Sequence, residues 1–381
     1  MKRSRVLQLF VLAVLSSRVT AQEASASDPV ARMEALRVKH GVPALGGALV
    51  TPDGLAGVWV TGSRSVDCAE TVSPDDLWHL GSCTKAMTAT LIALLVTRGD
   101  LSWEAPLGEL LPDLATEVDV DFMDLTLVEL MSHRAGLPAN FADDSFDSIA
   151  KLGVVEQRAA LTRSLLKGPP VHPPRGAILY SNAGFVVAGH LAEVATGKSW
   201  ETLMQELLFT PLGMTSAGFG PPGVRDACDQ PRGHTPDGRA LEPGPEADNL
   251  PYIGPAGTVH ATLADWAKFL QLHLRGMRSD VKVGELTLSR ETFTRLHTAC
   301  PGPGPQYGYG WVFEKRPWAG GDGTTLTHSG SNGTWCCETW LSPGHGFATL
   351  AVTNLFTEPA QNACFEVTQA MIAEAEARRS R

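Results

Sequence analysis

The chain has 381 residues, 43% hydrophobic and 19% charged, a composition that excludes a disordered chain and allows a large buried core. Its formal net charge is −10. An acidic body repels phosphate backbones and anionic lipid, which argues against nucleic-acid binding and against docking on a membrane surface.

Lys2, Arg3 and Arg5 open the chain, and Val6 to Leu15 is mostly apolar but too short to cross a bilayer. Val19-Thr20-Ala21 resembles a small-residue cleavage site, so residues 1–21 read as a secretory signal. Export to the periplasm or beyond the cell is the expectation; an uncleaved N-terminal anchor is the alternative. No later stretch is apolar and long enough for a membrane helix, so no stable insertion is expected after cleavage. The seven cysteines suit an exported chain, and their odd number leaves at least one unpaired in a monomer. Cys83, inside an expected helix, is the candidate free thiol. The pairing of the rest and the oligomeric state do not follow from the sequence.

Pro29 to His40 has helical spacing, and Gly46–Val50 and Leu55–Val60 flank a turn at Pro52-Asp53-Gly54, a hairpin pattern. Ala86 to Val96 carries no charge, the mark of a helix buried on every side, with Gly99 as its stop. Further helices are expected over Leu125–Met131, Asn182–Thr196 with Gly197 as stop, and Ser199–Leu208. Gly218 to Pro245, rich in Gly, Pro and Asp, reads as a long surface excursion or a boundary. Thr262 to Asp265 is a capping box for a helix to about Leu274. Tyr309–Phe313, Thr325–His328, Thr334–Leu341 and Phe347–Thr353 are strand candidates, and Thr357 and Pro359 open a last helix to about Ala375.

This order gives an α/β chain of the α+β type. One antiparallel sheet with flanking terminal helices takes residues 22–85 and 255–381, and a mainly helical insertion takes 86–254. A cleft between the two parts is the natural ligand site.

Three short motifs carry chemistry. In Ser82-Cys83-Thr84-Lys85, the serine and lysine lie on one face of a helix start, and a buried lysine loses its proton readily. Ser-x-x-Lys also occurs at Ser148, Ser164 and Ser279, among polar or charged neighbours or running into Gly and Pro; only Ser82 opens the long uncharged helix. Tyr180-Ser181-Asn182 offers a phenol to relay a proton and an amide to bind substrate and orient Lys85; it also reads as a turn with a helix N-cap. His328-Ser329-Gly330-Ser331 ends a strand candidate, where Gly330 lets a substrate lie along the strand edge. A backbone N–H there, with that of Ser82, makes an oxyanion hole; a polar turn is the plainer alternative.

Together the three resemble the signature motifs of the serine β-lactamases and penicillin-binding proteins, above all the class C β-lactamase-related branch with its D,D-peptidases and esterases. Leu130–Pro138, Ser181–Gly189, Leu208–Met214 and Gly257–Asp265 resemble the same branch. The resemblance implies a β-lactamase/transpeptidase-like fold and an acyl-enzyme on Ser82, with Lys85 as activator and Tyr180 as acid/base. Asn182, His328, Gly330 and Ser331 would bind substrate, Ser331 giving the second oxyanion N–H. No metal and no cofactor is implied.

His328 stands where many relatives carry lysine. Histidine is mostly neutral above about pH 6.5, which weakens the match to a carboxylate and favours esters or D-amino-acid peptides over β-lactams. The partner is thus a small-molecule or peptide substrate. An α/β-hydrolase would need Gly-x-Ser-x-Gly and a metallohydrolase His-Glu-x-x-His; neither occurs. His133 and His190 read as structural. The rival from another class is a non-catalytic or single-turnover penicillin-binding sensor with the same fold.

Overall fold

The computed structural model describes residues 29–141 and 149–380. The expected signal over 1–21, and Ser148 with the rest of 142–148, lie outside the described residues.

Both ends of the chain build one antiparallel sheet. The hairpin β1 (Ala44–Thr51) and β2 (Gly54–Gly62) joins β3 (Tyr307–Gly308), β4 (Trp311–Lys315), β5 (Thr324–Gly330), β6 (Cys336–Ser342) and β7 (Phe347–Thr353) in the order β2-β1-β7-β6-β5-β4-β3. The closing seam is β1 on β7, with Leu45 opposite Thr353 and Val50 opposite Ala348. Side chains alternate between the faces of a strand. Leu45 and Leu49 pack on one face with Met33 of α1 (Pro29–His40) and Ala363, Val367 and Met371 of the last helix, Glu358–Arg379. Ala44, Ala48 and Val50 enter the larger core on the other face. Both faces are covered, so β1 and β7 at the seam are buried along almost their whole length. The mixed class with terminal helices on one face is the architecture expected.

The second face meets the helical part. Helix α2 (Thr84–Arg98) is buried from Thr84 to Leu95 and stops at Gly99, whose φ is 89°. Helix α3 (Leu127–Met131) starts later than expected because Thr126 and Glu129 form a capping box there. Helix α4 (Val154–Lys167) was not anticipated. Its charges interrupt the apolar stripe, yet one of them, Arg158, is fully buried. That guanidinium lies 2.8 Å from both Glu193 and Glu201, and so ties α4 to α5 (Asn182–Thr196) and α6 (Trp200–Met204). Helix α5 has the expected bounds, capped by Ser181 and stopped by Gly197 at φ 68°. The expected helix over 199–208 ends as α6 and widens into a π turn, Gln205–Phe209. The wider turn accommodates sequence neighbours Leu208 and Phe209 in the same core.

The stretch 218–245 is no loose excursion. Cys228 is bonded to Cys68, Arg232 N–H donates to Arg64 O at 2.8 Å, and His234 is fully buried beside Asn354. Few apolar residues are needed when a disulfide and backbone hydrogen bonds anchor a segment. Cys83 is a free thiol as expected, and so are Cys300, Cys336, Cys337 and Cys364.

Helix α7 (Leu263–Gly276) carries His273 into the core, with Nδ1 2.7 Å from His297 Nε2 and Nε2 3.2 Å from Thr90 Oγ1. Burial holds His297 down at about 3 and His273 well below its ordinary value, the latter helped by the neighbouring His297. The unfolded chain takes up these protons near pH 6.5, while the folded pair stays neutral until far lower pH. Stability is therefore full above pH 6.5 and is lost as pH falls toward 3, each histidine adding up to about 1.4 kcal/mol per pH unit. Denaturant midpoints measured from pH 7 to 4 should fall, and His297→Gln should flatten that slope.

Candidate active site

A two-residue strand, Trp78–His79, pairs with Val259–Ala261 and delivers the chain into a 3-10 turn, Gly81–Cys83, that runs on into α2. The turn meets the end of β5 backbone to backbone. A Cβ on Gly81, whose φ is 45°, would stand 2.3 Å from Ser331 N; one on Gly330 would stand 2.1 Å from Leu80 O and 3.0 Å from Ser82 N. Only glycine permits that approach on either side. It brings the amide nitrogens of Ser82 and Ser331 to one crevice.

Lys85, in the first turn of α2, has no exposed surface. Its Nζ lies 3.0 Å from Ser82 Oγ, 2.7 Å from Asn182 Oδ1 and 2.8 Å from Ala256 O. Two of those partners can only accept, so two N–H bonds are committed to them. The hydroxyl can donate or accept, and can therefore donate to the nitrogen lone pair of a neutral amine. Burial pushes the Lys85 ammonium well below the ordinary lysine range.

Tyr180 places its ring 4.8 Å from Lys85 Nζ. Burial pushes its phenol up, opposed by a hydrogen bond with the Ser82 side chain. The loop bearing Tyr180 is fixed from below. Ser181 Oγ accepts from Gly184 N–H and donates to Pro138 O at 2.6 Å, and Asn182 N–H donates to Ala139 O at 2.8 Å. Asn182 Nδ2 donates to Asn140 Oδ1 at 2.8 Å, which leaves its Oδ1 for Lys85.

Two more residues pack against the site: His133, which reads as structural from the sequence, and Tyr307, which the sequence does not single out. His133 packs against both Tyr180 and Tyr307, with ring centres 4.3 Å from each and planes tilted by 41°, and its Nδ1 accepts from Ser181 N–H at 3.1 Å. It holds left-handed backbone, φ 61°, a conformation rare outside glycine and kept only where surroundings enforce it. Burial pushes it well below its ordinary value, with Lys85 and His328 adding to the effect. Tyr307 donates or accepts at 3.1 Å from His328 Nε2. The one sequence signal was that Tyr307 is among four tyrosines and His133 lies in Leu130–Pro138.

His328 is buried, with Nδ1 2.6 Å from Ser329 O. That carbonyl can only accept, so Nδ1 carries the proton and Nε2 accepts from the Tyr307 hydroxyl. Burial is the main cause that holds the imidazole down at about 3, and any charge taken up by the neighbouring Lys85 acts in the same direction. The end of β5 thus carries no cation at neutral pH.

All seven sequence-selected residues, Ser82, Lys85, Tyr180, Asn182, His328, Gly330 and Ser331, fall around this crevice. Ser164 and Ser279, the other described serines of that spacing, stand outside it in α4 and after α7. Among the described residues the one cluster of metal-ligand type is Cys68, Glu70 and Cys228, and its two sulfurs are used by the disulfide.

The chain was compared with known proteins. The family model described as Beta-lactamase matches residues 30–368. Penicillin-binding protein 4 of Amycolatopsis lactamdurans is 29% identical over 337 residues, 85% of this chain and 84% of that one. The D-alanyl-D-alanine-carboxypeptidase/endopeptidase AmpH of Escherichia coli K12 is 28% identical over 322 residues, 80% of each. The crystal structure of D-alanine carboxypeptidase AmpC from Burkholderia cenocepacia shares the fold, with a TM-score of 0.70 at 23% identity over 90% of this chain and 97% of that one. With the family model spanning nearly the whole described chain, this protein belongs to the Beta-lactamase family of serine hydrolases.

Proposed function

We propose that the protein cleaves an ester or amide through an acyl-enzyme on Ser82. The observation that carries this is the contact of the buried Lys85 Nζ with Ser82 Oγ at 3.0 Å, the other two amine contacts being to obligate acceptors. Neutral Lys85 takes the hydroxyl proton as Oγ attacks the carbonyl carbon. The amides of Ser82 and Ser331 receive the charge that develops on the carbonyl oxygen. Tyr180, kept protonated by its raised pKa, gives its proton to the leaving group and is reprotonated from Lys85. Water then attacks the acyl carbonyl as Lys85 takes its proton, Ser82 Oγ leaves with a proton from Tyr180, and Lys85 reprotonates Tyr180. Asn182 holds the amine in place and offers its amide to substrate.

The leaving group we propose is neutral: an alcohol, or an amine whose segment bears no nearby carboxylate. Neutral His328, with both ring nitrogens engaged by Ser329 and Tyr307, supports this. The N-terminal pattern and the Cys68–Cys228 bond support export.

Ser82→Ala should keep the parent's melting temperature and lose about 10³-fold or more in kcat on p-nitrophenyl butyrate. Intact mass should locate the acyl adduct on Ser82 in the parent. A folded Ser82→Ala protein that still turns over ends the proposal, and a stable adduct without turnover would favour the single-turnover sensor.

The neutral amine is the working form of Lys85, so kcat/KM should rise with pH through its lowered pKa. His328, at about 3, should add no limb of its own above pH 5. His328→Lys should shift the kcat/KM ratio of a carboxylate-bearing substrate to its methyl ester about tenfold toward the acid, the worth of one charge-assisted contact. No shift would remove the basis for a neutral leaving group.

A further inference from the structure

A buried side-chain cluster next to the Ser82 turn and the end of β5 is not used by the steps above. Asp248 lies in the stretch between Gly244 and Gly254, and its side chain is only 4% exposed. Its Oδ1 accepts from Asn332 Nδ2 at 3.0 Å and from Asn249 N–H at 2.7 Å, and lies 2.8 Å from Nε2 of His79.

One arm of this cluster reaches the nucleophile turn. His79 Nδ1 accepts the N–H of Gly81, the residue before Ser82, at 3.1 Å. With that lone pair used, a neutral ring carries its proton on Nε2, the atom beside the carboxylate. The contact is close but bent, and His79 Nε2 has no hydrogen-bond partner.

The other arm reaches the end of β5. Asn332 follows Ser331. Its Nδ2 also donates to Ala247 O at 3.1 Å, and its Oδ1 accepts from Thr334 N–H at 3.1 Å and Thr334 Oγ1 at 3.0 Å. The amide is engaged at both ends, so its own position is set by what it holds. Next to Asp248, Asn249 Nδ2 donates to Gly257 O at 2.8 Å, beside Ala256 whose carbonyl holds Lys85.

A buried carboxylate is costly, and one with an unpartnered oxygen more so; Asp248 Oδ2 has no hydrogen-bond partner. A loop that needed only a surface anchor would not require it. We infer that Asp248 is a positioning residue, which holds the amides of Ser82 and Ser331 at their mutual spacing through His79 on one side and Asn332 on the other. The inference rests on the reading of those amides as the oxyanion hole.

The oxyanion is fully formed only in the tetrahedral state, so spacing errors act on kcat and not on ground-state binding. On p-nitrophenyl butyrate, Asp248→Ala should lower kcat per titrated active site about 10- to 100-fold with KM within threefold. Phenylboronic acid, which forms a tetrahedral anion on the serine, should bind more weakly by a similar factor. Asp248→Asn keeps an oxygen for Asn332 and should recover most of the loss. Asn332→Ala should show the same kcat-selective loss, and its effect should not add to that of Asp248→Ala. A merely structural role would lower the melting temperature and the titrated fraction, and leave kcat per site and boronate affinity unchanged. That result in Asp248→Ala overturns the inference, as it does in Asn332→Ala should the first variant not fold. Ser82→Ala separates the two failures. If it is inactive while Asp248→Ala is normal, the positioning role alone falls; if it stays active, the reading of the nucleophile falls first.

Discussion

Lys85 Nζ is held by three oxygens that come from its own helix start, from the N-terminus of α5 and from the segment before Val259. An amine without solvent is tolerable only if each of its hydrogens or lone pairs has a partner. Three separate stretches must therefore arrive together before α2 can be buried at all. This requirement explains the uncharged run from Ala86 onward: any second charge on the helix would have to be matched in the same dry volume. It also explains why the site forms where the sheet meets the helical part. That junction alone gives Lys85 both a closed environment and acceptors from more than one side.

The same desolvation works on neighbouring groups with different results. It lowers Lys85, raises Tyr180 and holds His133 and His328 neutral. A base without its proton beside an acid with its proton is the pairing that acyl transfer needs near neutral pH. The packed rings of Tyr180, His133 and Tyr307 spread this effect across the crevice, since each ring shields the next from water. Tyr307 then reaches His328, so the neutrality of the β5 end and the environment of the phenol have one origin.

Backbone contacts set the other half of the site. Glycines 81 and 330 let the turn at Ser82 and the end of β5 touch without side chains between them. The sheet order makes this possible. β5 lies two strands from the β1–β7 seam and its end meets the turn before α2, while α1 and the last helix pack on the opposite face. Nothing in either glycine holds the two amides at a fixed spacing, and the Asp248 cluster spans both segments.

Local signals in the sequence determined a great deal. The uncharged helix after Ser82, the caps of α5 and the apolar strands near the C-terminus are short-range patterns, set by backbone propensity and by burial on both faces. They were legible, and with them the residues of the three motifs. Tertiary structure alone decided the rest. Helix α4 is held by Arg158, whose partners Glu193 and Glu201 lie in two other helices. The stretch 218–245 is anchored by a bond from Cys228 to Cys68, 160 residues away. His133, Tyr307 and Asp248 take their places at the site through contacts with residues far along the chain. A periodic pattern reports which face of an element is buried; it carries no information about which distant group will lie against that face.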